Sequence, residues 1–489
     1  MSEGHVAGRT AQELFVLLVP TIVVFAMTVF GGVLAVDGDP FLHIAAGQWM
    51  IDNGAFIRSD FYSYTMTGQP LHPHEWLFQI IMAVVYGAAG WGGMHVLLGL
   101  AFAATTYILS RALLRYLDPV PALYVLLFAL IVLKGWVTLR PHIAAMPILA
   151  LFTDELLLAR HDNRSPRLWL VVALMVAWVN LHGSFLFGIA LMGPFAVEAV
   201  LEAADRKRVA TQWGASILAV ATAALLNPSG LDGLLFPLLF SFSGANAHFP
   251  DWQPLVLAND VPTEAAFLAG LAVILLLGVR LPPIRLLVLI GMLHITLQHV
   301  RFVAVLAIVG ALLLAEPLRQ AIAKHGWSAH PAQKYSPHVA FGVARIVCLA
   351  IVIVTLFRPF ALSESSLAPT TALSRVPKDI AALPMFNELS MGGYLIFTGH
   401  KIFVDGRADV YGADFLTNYD RIIHADREAL ETAFAKYNIA WSILPPSNGA
   451  VAILDQTPGW CRFYADDMAV IHMKDCDKVR PNQSAQTDR

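Results

Sequence analysis

Hydrophobic residues run through this chain in blocks about as long as a bilayer is thick, and polar residues collect in the gaps. A membrane-crossing helix needs about 20 mostly apolar residues, with roughly 17–25 tolerated. Eleven stretches meet or approach that length: 13–36, 93–116, 119–137, 143–160, 167–181, 184–202, 210–227, 264–280, 284–298, 302–318 and 338–358. Residues 77–90 are apolar but short, and lie between a polar loop and Trp91. They read as a re-entrant or surface helix. The pattern predicts an α-helical polytopic membrane protein of about eleven spans.

Charge orients the bundle. With the N-terminus in the cytoplasm, five cytoplasmic connections carry Arg111 and Arg115; Arg160, Arg164 and Arg167; Arg206, Lys207 and Arg208; Arg280 and Arg285; and Arg319, Lys324 and Lys334. This is the positive-inside bias. Counting 77–90 as a full span would reverse every later connection and break the rule. The first apolar run is too long for a cleaved signal peptide and more spans follow, so it reads as a membrane helix. The outer loop, 37–92, and the C-terminus then share the non-cytoplasmic side.

The polar start of that loop, 37–76, opens with Asp37 and Asp39 and ends with His72, His74 and Glu75. Within it, 40–54 reads as a short helix with Phe41, Ile44, Ala45, Trp49 and Ile51 on one face. Trp49 and Trp76 suit an interfacial depth, between lipid and water. The loop is therefore expected to lie against the membrane with its acids over the mouth of the bundle. Other polar groups fall on the same side: Arg140 and His142 at a helix boundary, Asn180 and His182 in a tight turn, a long loop over 227–264, and His294, Gln298, His299 and Arg301 in another turn. Any one of them alone is explained by capping, anchoring or a hydrogen-bonded turn. Together they predict a shared cavity lined by Asp39, His43, Arg140, His142, His182 and Arg301, because ionisable groups near the membrane interior are costly and mark paths or sites.

After the membrane domain (1–362), composition shifts. A Ser-, Thr-, Pro- and Ala-containing linker over 363–380 precedes a small α/β domain over 381–476, and a polar tail, 477–489, reads as disordered. The runs GGYLIF, KIFVDG, IAWSILP, GAVAIL and MAVIHM read as the domain's strands, with a helix over 427–437. The segment VDGRADVYG, 404–412, has two readings: a strand end with Arg407 paired to a neighbouring Asp, or a lid or acceptor surface over the membrane site. Cys461 and Cys476 are candidates for a disulfide in an oxidising compartment; Cys348 lies within a span.

Composition agrees. Hydrophobic residues make up 57% of the chain and charged ones 14%, against roughly 25% charged in an average soluble domain. A net charge of −3 gives no reason to expect a nucleic-acid partner. Three cysteines are too few for a disulfide scaffold.

A first span followed by D-x-D-x-x-x-H-x-x-x-G, then DFYSYT and HEWL, resembles the GT-C superfamily of integral-membrane glycosyltransferases. More narrowly it is similar to bacterial relatives of protein mannosyltransferases and of the aminoarabinose transferase of lipid A. The similarity is specific over about 35–110 and weaker beyond. The resemblance implies an inverting enzyme of the bacterial inner membrane with its C-terminal domain extracytoplasmic. It would move a sugar from a polyprenyl-phosphate donor to a glycan, lipid or protein acceptor at the outer face. It implies a catalytic carboxylate at Asp39, with Asp37 as its neighbour. Chemistry supports that role, since a carboxylate within hydrogen-bond reach can take the proton of an attacking hydroxyl. Arg140, Arg301 or the histidines would neutralise the lipid phosphate, with His43, His72, His74, Glu75, His142 and His182 as further donor-binding candidates. Asp37 and Asp39, or His72, His74 and Glu75, are also spaced to share a divalent cation. The chain departs from its relatives in having Asp39-Pro40 where Asp-Glu is usual, and His72-Pro73-His74-Glu75 where Lys-Pro is common. Two other classes stay open: a transporter or flippase, which predicts ionisable residues within several spans or an internal repeat, and an envelope assembly protein, which predicts dispensable loop acids.

Overall fold

The computed structural model describes residues 9–31, 38–326, 334–335, 337–358 and 364–475. Asp37, Cys476 and the tail over 477–489 lie outside them. Helices dominate. Helix α1 (Ala11–Phe30) starts on a capping box: Glu13 N–H donates to Thr10 Oγ1 (3.1 Å) and Thr10 N–H to the Glu13 carboxylate (2.7 Å). Then come α2 (Asp39–Asn53), α3 (Trp76–Tyr116), α4 (Pro119–Leu133), α5 (His142–His161), α6 (Leu168–Leu181), α7 (Phe185–Glu202), α8 (Arg206–Ala223), α9 (Leu231–Ser241), α10 (Val261–Leu276), α11 (Pro283–Gln298), α12 (Val303–Lys324) and α13 (His338–Phe357). Strand β1 (Arg9–Thr10) pairs antiparallel with β2 (Lys334–Tyr335).

Each of the eleven expected stretches coincides with a helix. Among the described residues, seven helices are long and apolar enough to cross a membrane: α1, α3, α4, α5, α7, α12 and α13, with α4 and α12 each extended by an adjoining 3-10 turn. Large apolar side chains on α10, α11 and α13 face outward, including Leu275, Leu287 and Ile346. Such a surface suits lipid and not water. The protein is a multi-pass membrane protein.

Residues 77–90 join 93–116 in one helical run, but Gly90 breaks it with φ 54° and ψ −149°. A Cβ on Gly93 would sit 3.0 Å from a Val85 methyl. Eight residues along a straight helix would separate those positions by about 12 Å, so the chain turns back sharply at Gly90. The first half is thus a separate helix, as its length and flanks predict.

Helix α2 departs from the expectation of an interfacial helix. Phe41 and Ile44 are buried, but so are Leu42, His43, Ala46 and Met50, while Ile51 is exposed. The helix is enclosed between α3 and the C-terminal domain rather than laid on lipid. Phe41 meets Trp91, Tyr394 and Phe397 with ring centroids 5.2–5.5 Å apart. Trp76 has a polar task too: its Nε1 donates to Asn180 Oδ1 (2.7 Å).

The C-terminal domain is a mixed four-stranded sheet flanked by helices, with β3 (Met385–Asn387), β4 (Trp441–Leu444), β5 (Trp460–Ala465) and β6 (Val470–Lys474) in the order β3-β4-β6-β5. Strands β3 and β4 are parallel; β4–β6 and β6–β5 are antiparallel. Its helices are α14 (Thr370–Ser374), α15 (Lys378–Ala381), α16 (Gly392–Phe397), α17 (Ala408–Ile423), α18 (Arg427–Tyr437) and α19 (Gly449–Leu454). Two runs expected as strands, GGYLIF and GAVAIL, are the short helices α16 and α19. Apolar runs of that length do not distinguish a strand from a buried helical turn. KIFVDG forms only an isolated bridge, between Ile402 and Ser63. Ala368, Ala372 and Val376, within the expected linker, are buried. Cys461 is disulfide-bonded and Cys348 is free.

The domain is set on α2 by contacts that only glycine permits. A Cβ on Gly393 would collide with the Gly38 carbonyl oxygen, and one on Gly38 with the Ser390 carbonyl oxygen. No rotamer change relieves a clash with backbone. Gly393→Ala is expected to lower stability by about 1–3 kcal/mol, read as a lower Tm in detergent. Gly270→Ala, which faces open space on α10, should not lower it.

Candidate functional site

Asp39 is the first residue of α2, where a carboxylate is favoured by the helix's positive end. Pro40, beside it, supplies the φ suited to a first turn. Arg140 lies in the turn just before α5. The turn is tight: Ile143 N–H donates to the Arg140 carbonyl (3.0 Å). Arg140 Nε stands 3.1 Å from Asp39 Oδ2. The start of α2 and the turn before α5 thus meet through one ion pair.

Around this pair the expected residues converge. His142 opens α5, with Nε2 2.8 Å from the Trp136 carbonyl oxygen. The His142 and His182 ring centroids are 6.2 Å apart. His182 lies in the turn between α6 and α7, where Ser184 N–H donates to its Nδ1 (3.2 Å). Nδ1 is thereby an acceptor, so the neutral ring carries its proton on Nε2. Burial first, then the positive potential of His142, Arg301, His74 and His43, holds the His182 pKa well below its ordinary value. His182 is therefore a neutral hydrogen-bond donor at physiological pH.

His43 is buried one turn after Asp39, with Nδ1 3.2 Å from Gln79 Nε2. Arg301, in the turn before α12, lies over the Trp252 ring (4.2 Å to the centroid) and 3.7 Å from Asp251. These partners come from the 227–264 connection, which holds α9 and several 3-10 turns rather than a plain loop. Phe236 of α9 packs on the His72 and His74 rings, centroids 5.0 and 4.8 Å away. His74 Nε2 is 3.7 Å from Glu75 Oε1. Among the described residues, no group of three or more His, Cys, Asp or Glu could hold a metal ion. His72 and His74 pack on the Phe236 ring. Asp37, the other half of the proposed acid pair, lies outside the described residues. His294 and Gln298 of α11 make none of the contacts that build this cluster.

The C-terminal domain supplies the site's other wall. The Gly406 backbone abuts Asp39 so closely that a Cβ there would stand 2.9 Å from Asp39 Oδ1. Next to it, Arg407 donates to Asp405 (Nη2–Oδ2 2.6 Å) and to Asp60 of the outer loop (Nη1–Oδ1 2.7 Å). Burial alone would lower the Arg407 pKa. The neighbouring Asp405, Tyr411 and Asp60 outweigh it and hold the guanidinium charged. Asp409 faces His74 and Glu75, and burial pushes its carboxyl pKa up. The density of charge and turn residues in 404–412 signals this wall in the sequence. The sequence pattern singles out neither Asn387 nor Phe236, and Asp60 stands in it only as the first residue of DFYSYT. Asn387 is fully buried: its Oδ1 accepts from Phe403 N–H (2.8 Å) and its Nδ2 donates to the Val404 carbonyl (2.8 Å), which fixes the approach to Asp405.

No protein-family model matches this chain, and no curated protein sequence matches it. A solved structure does: the apo oligosaccharyltransferase of Archaeoglobus fulgidus, with a TM-score of 0.51 and 13% identity over 87% of this chain and 69% of that one. The chain shares the fold of that archaeal enzyme. Two further structures of that archaeal enzyme are similar at TM-scores of 0.49 and 0.48, each with 14% identity over 88% of this chain and 68% of that one. One is a complex with Zn and sulfate; the other is tethered to an acceptor peptide containing the NVT sequon.

In this chain the wall over Asp39 depends on Arg407. Asp60 and Asp405 have no exposed side-chain surface. Removing the shared cation strands two buried carboxylates, and breaking a buried pair costs about 3–5 kcal/mol. Arg407→Ala should lower Tm and raise hydrogen exchange over 58–71 and 402–409 together, measured by mass spectrometry. Faster exchange in only one of the two segments would contradict the shared clamp.

Proposed function

We propose that this protein is a glycosyltransferase that moves a sugar from a polyprenyl-phosphate donor to a hydroxyl-bearing acceptor at the outer membrane face. The observation that carries the reading is the Asp39–Arg140 ion pair beneath the Gly406–Arg407 wall. It sets a carboxylate and a guanidinium side by side at the end of a bundle with apolar walls. Transfer from a lipid phosphate needs those two groups: a base for the acceptor proton and a cation for the departing phosphate. The GT-C fold supports the same reading.

In the proposed reaction the donor phosphate competes with Asp39 for Arg140. Arginine suits phosphate through its planar fork. Asp39, released, takes the proton of the acceptor hydroxyl as its oxygen attacks the anomeric carbon. The bond from that carbon to the phosphate oxygen breaks, the electron pair goes to the phosphate, and Arg140 balances the charge. A single displacement inverts the anomeric centre. Neutral His182 has an N–H to offer a sugar or phosphate oxygen. The 404–412 segment serves as the acceptor-side wall.

Asp39→Asn keeps the shape but removes the base. Transfer of label from a polyprenyl-phosphate sugar, in membranes carrying the variant, should fall by about 10²-fold, a barrier increase of roughly 3 kcal/mol. Arg140→Ala should mainly raise KM for the donor, since its partner is a phosphate present before and after reaction. Full transfer by Asp39→Asn would sink the assignment.

The same reading places the Asp39 end and the C-terminal domain outside the cytoplasm, with the basic ends of α3, α5 and α12 inside. A membrane-impermeant thiol reagent should reach Ser447→Cys from the outside and Ser165→Cys only after the membrane is opened. Equal labelling of both in intact cells would contradict this orientation.

A further inference from the structure

The other end of the bundle carries a second cluster of charge that the reaction does not use. Helix α5 begins at the Asp39 site and ends at His161, 20 residues later, about 30 Å away at 1.5 Å per residue. There the ends of α3, α5, α7 and α12 and the start of α11 enclose a cleft of about 310 Å³, within the range of small-ligand sites.

Its lining carries three arginines and three glutamates, which differ in burial and pairing. Arg160 and Arg285 both converge on one carboxylate: Arg160 Nε is 3.2 Å from Glu198 Oε1, and Arg285 Nη2 is 2.6 Å from the same oxygen. Their side chains are 5% and 14% exposed and that of Glu198 is 4%. Arg160 also meets Glu202 (2.5 Å), but that carboxylate is 59% exposed, so water screens much of its charge. Two buried cations thus share one buried anion. Arg280, on the exposed rim, is in no ion pair among the described residues, and His161 stands beside it in the lining. Glu316 on the far wall is occupied by Arg319 (2.5 Å) and Gln320 (2.9 Å). Leu157, Leu281, Leu312 and Pro317 line the remainder.

An excess of buried positive charge is costly unless an anion completes it. A basic pocket between helix ends at the membrane surface is the arrangement that suits an anionic headgroup. We propose that this cleft binds the phosphate of an anionic phospholipid from the leaflet opposite the Asp39 site. The phosphate would lie against Arg280, Arg285 and Arg160, and the glycerol and upper acyl carbons against the leucines. Free phosphate offers the same charge but nothing for the apolar wall, which is why the lipid is favoured. The assignment is independent of the sugar-transfer reading and survives its failure.

The test uses the full chain, delipidated in a neutral detergent, with binding read by native mass spectrometry and Tm. Short-chain phosphatidylglycerol should bind at least 5-fold more tightly than phosphatidylcholine of the same chain length and raise Tm. Arg280→Gln breaks no ion pair in the fold and should weaken that binding at least 5-fold. Glu202→Gln removes a competing carboxylate and should strengthen it. Opposite signs from two neighbouring surface changes would not arise from loss of folding. Equal binding of the two lipids, or no change in Arg280→Gln, overturns the proposal. Displacement of the lipid by inorganic phosphate at equal concentration overturns the lipid source and leaves a free-anion site.

Discussion

The arrangement depends on Arg407, held between Asp60 of the first outer loop and Asp405 of the C-terminal domain. All three groups are largely or wholly cut off from water. A lone charge there would be costly, so the buried Asp60 carboxylate ties its loop to the guanidinium of the domain segment. Backbone contacts reinforce the clamp: Tyr64 N–H donates to the Ile402 carbonyl (3.2 Å) and Ile402 N–H to the Tyr62 carbonyl (3.2 Å). Thr65 Oγ1 donates to the Phe403 carbonyl (2.7 Å), and Tyr64 OH to the Met385 carbonyl (2.6 Å). The outer loop is effectively an added edge of the domain. The two units form one body over the end of the bundle.

That body explains why Asp39 sits where it does. Leu42, three residues after Asp39, packs among Met385, Met391 and Leu395 of the domain, while Gly47 presses on the Gln79 carbonyl of α3. Helix α2 is gripped on both sides, and only its N-terminus reaches the polar gap. Arg140 approaches from the turn before α5, whose N-cap is Pro141 and whose first residue is His142. The opposing electrostatic demands of the two bundle ends follow from α5's length. Arg140 marks one end and Arg160 the other, with an apolar stretch about one bilayer thick between them.

A second clasp ties the 245–252 turns to the domain. His248 Nδ1 lies 2.5 Å from Asp420 Oδ2 of α17. The connection that looks like a loose outer loop in sequence is therefore held at both ends, to α17 here and to Arg301 through Trp252. Its α9 helix carries Phe236 to the paired imidazoles of His72 and His74.

Much of this was legible in the chain. The bilayer allows only segments whose backbone bonds are satisfied internally, so apolar length alone marks the helices. The break at 77–90 shows in its short length and its glycine. The gathering of Asp39, Arg140, His142, His182 and Arg301 follows from placing each at the same end of alternating spans. What tertiary structure decided is which of those groups touch. Whether Asp39 pairs with Arg140 rather than Arg301 depends on side-chain reach of a few ångströms, which no spacing encodes. The fate of α2 was likewise settled by its neighbours: an apolar face reads the same whether lipid or another domain covers it. The short runs GGYLIF and GAVAIL became helices for a related reason. Six apolar residues satisfy either periodicity, and the surrounding core selects one. Asp405 is a near neighbour of Arg407 in sequence, but Asp60 lies 347 residues away, and only the tertiary structure joins all three into a clamp.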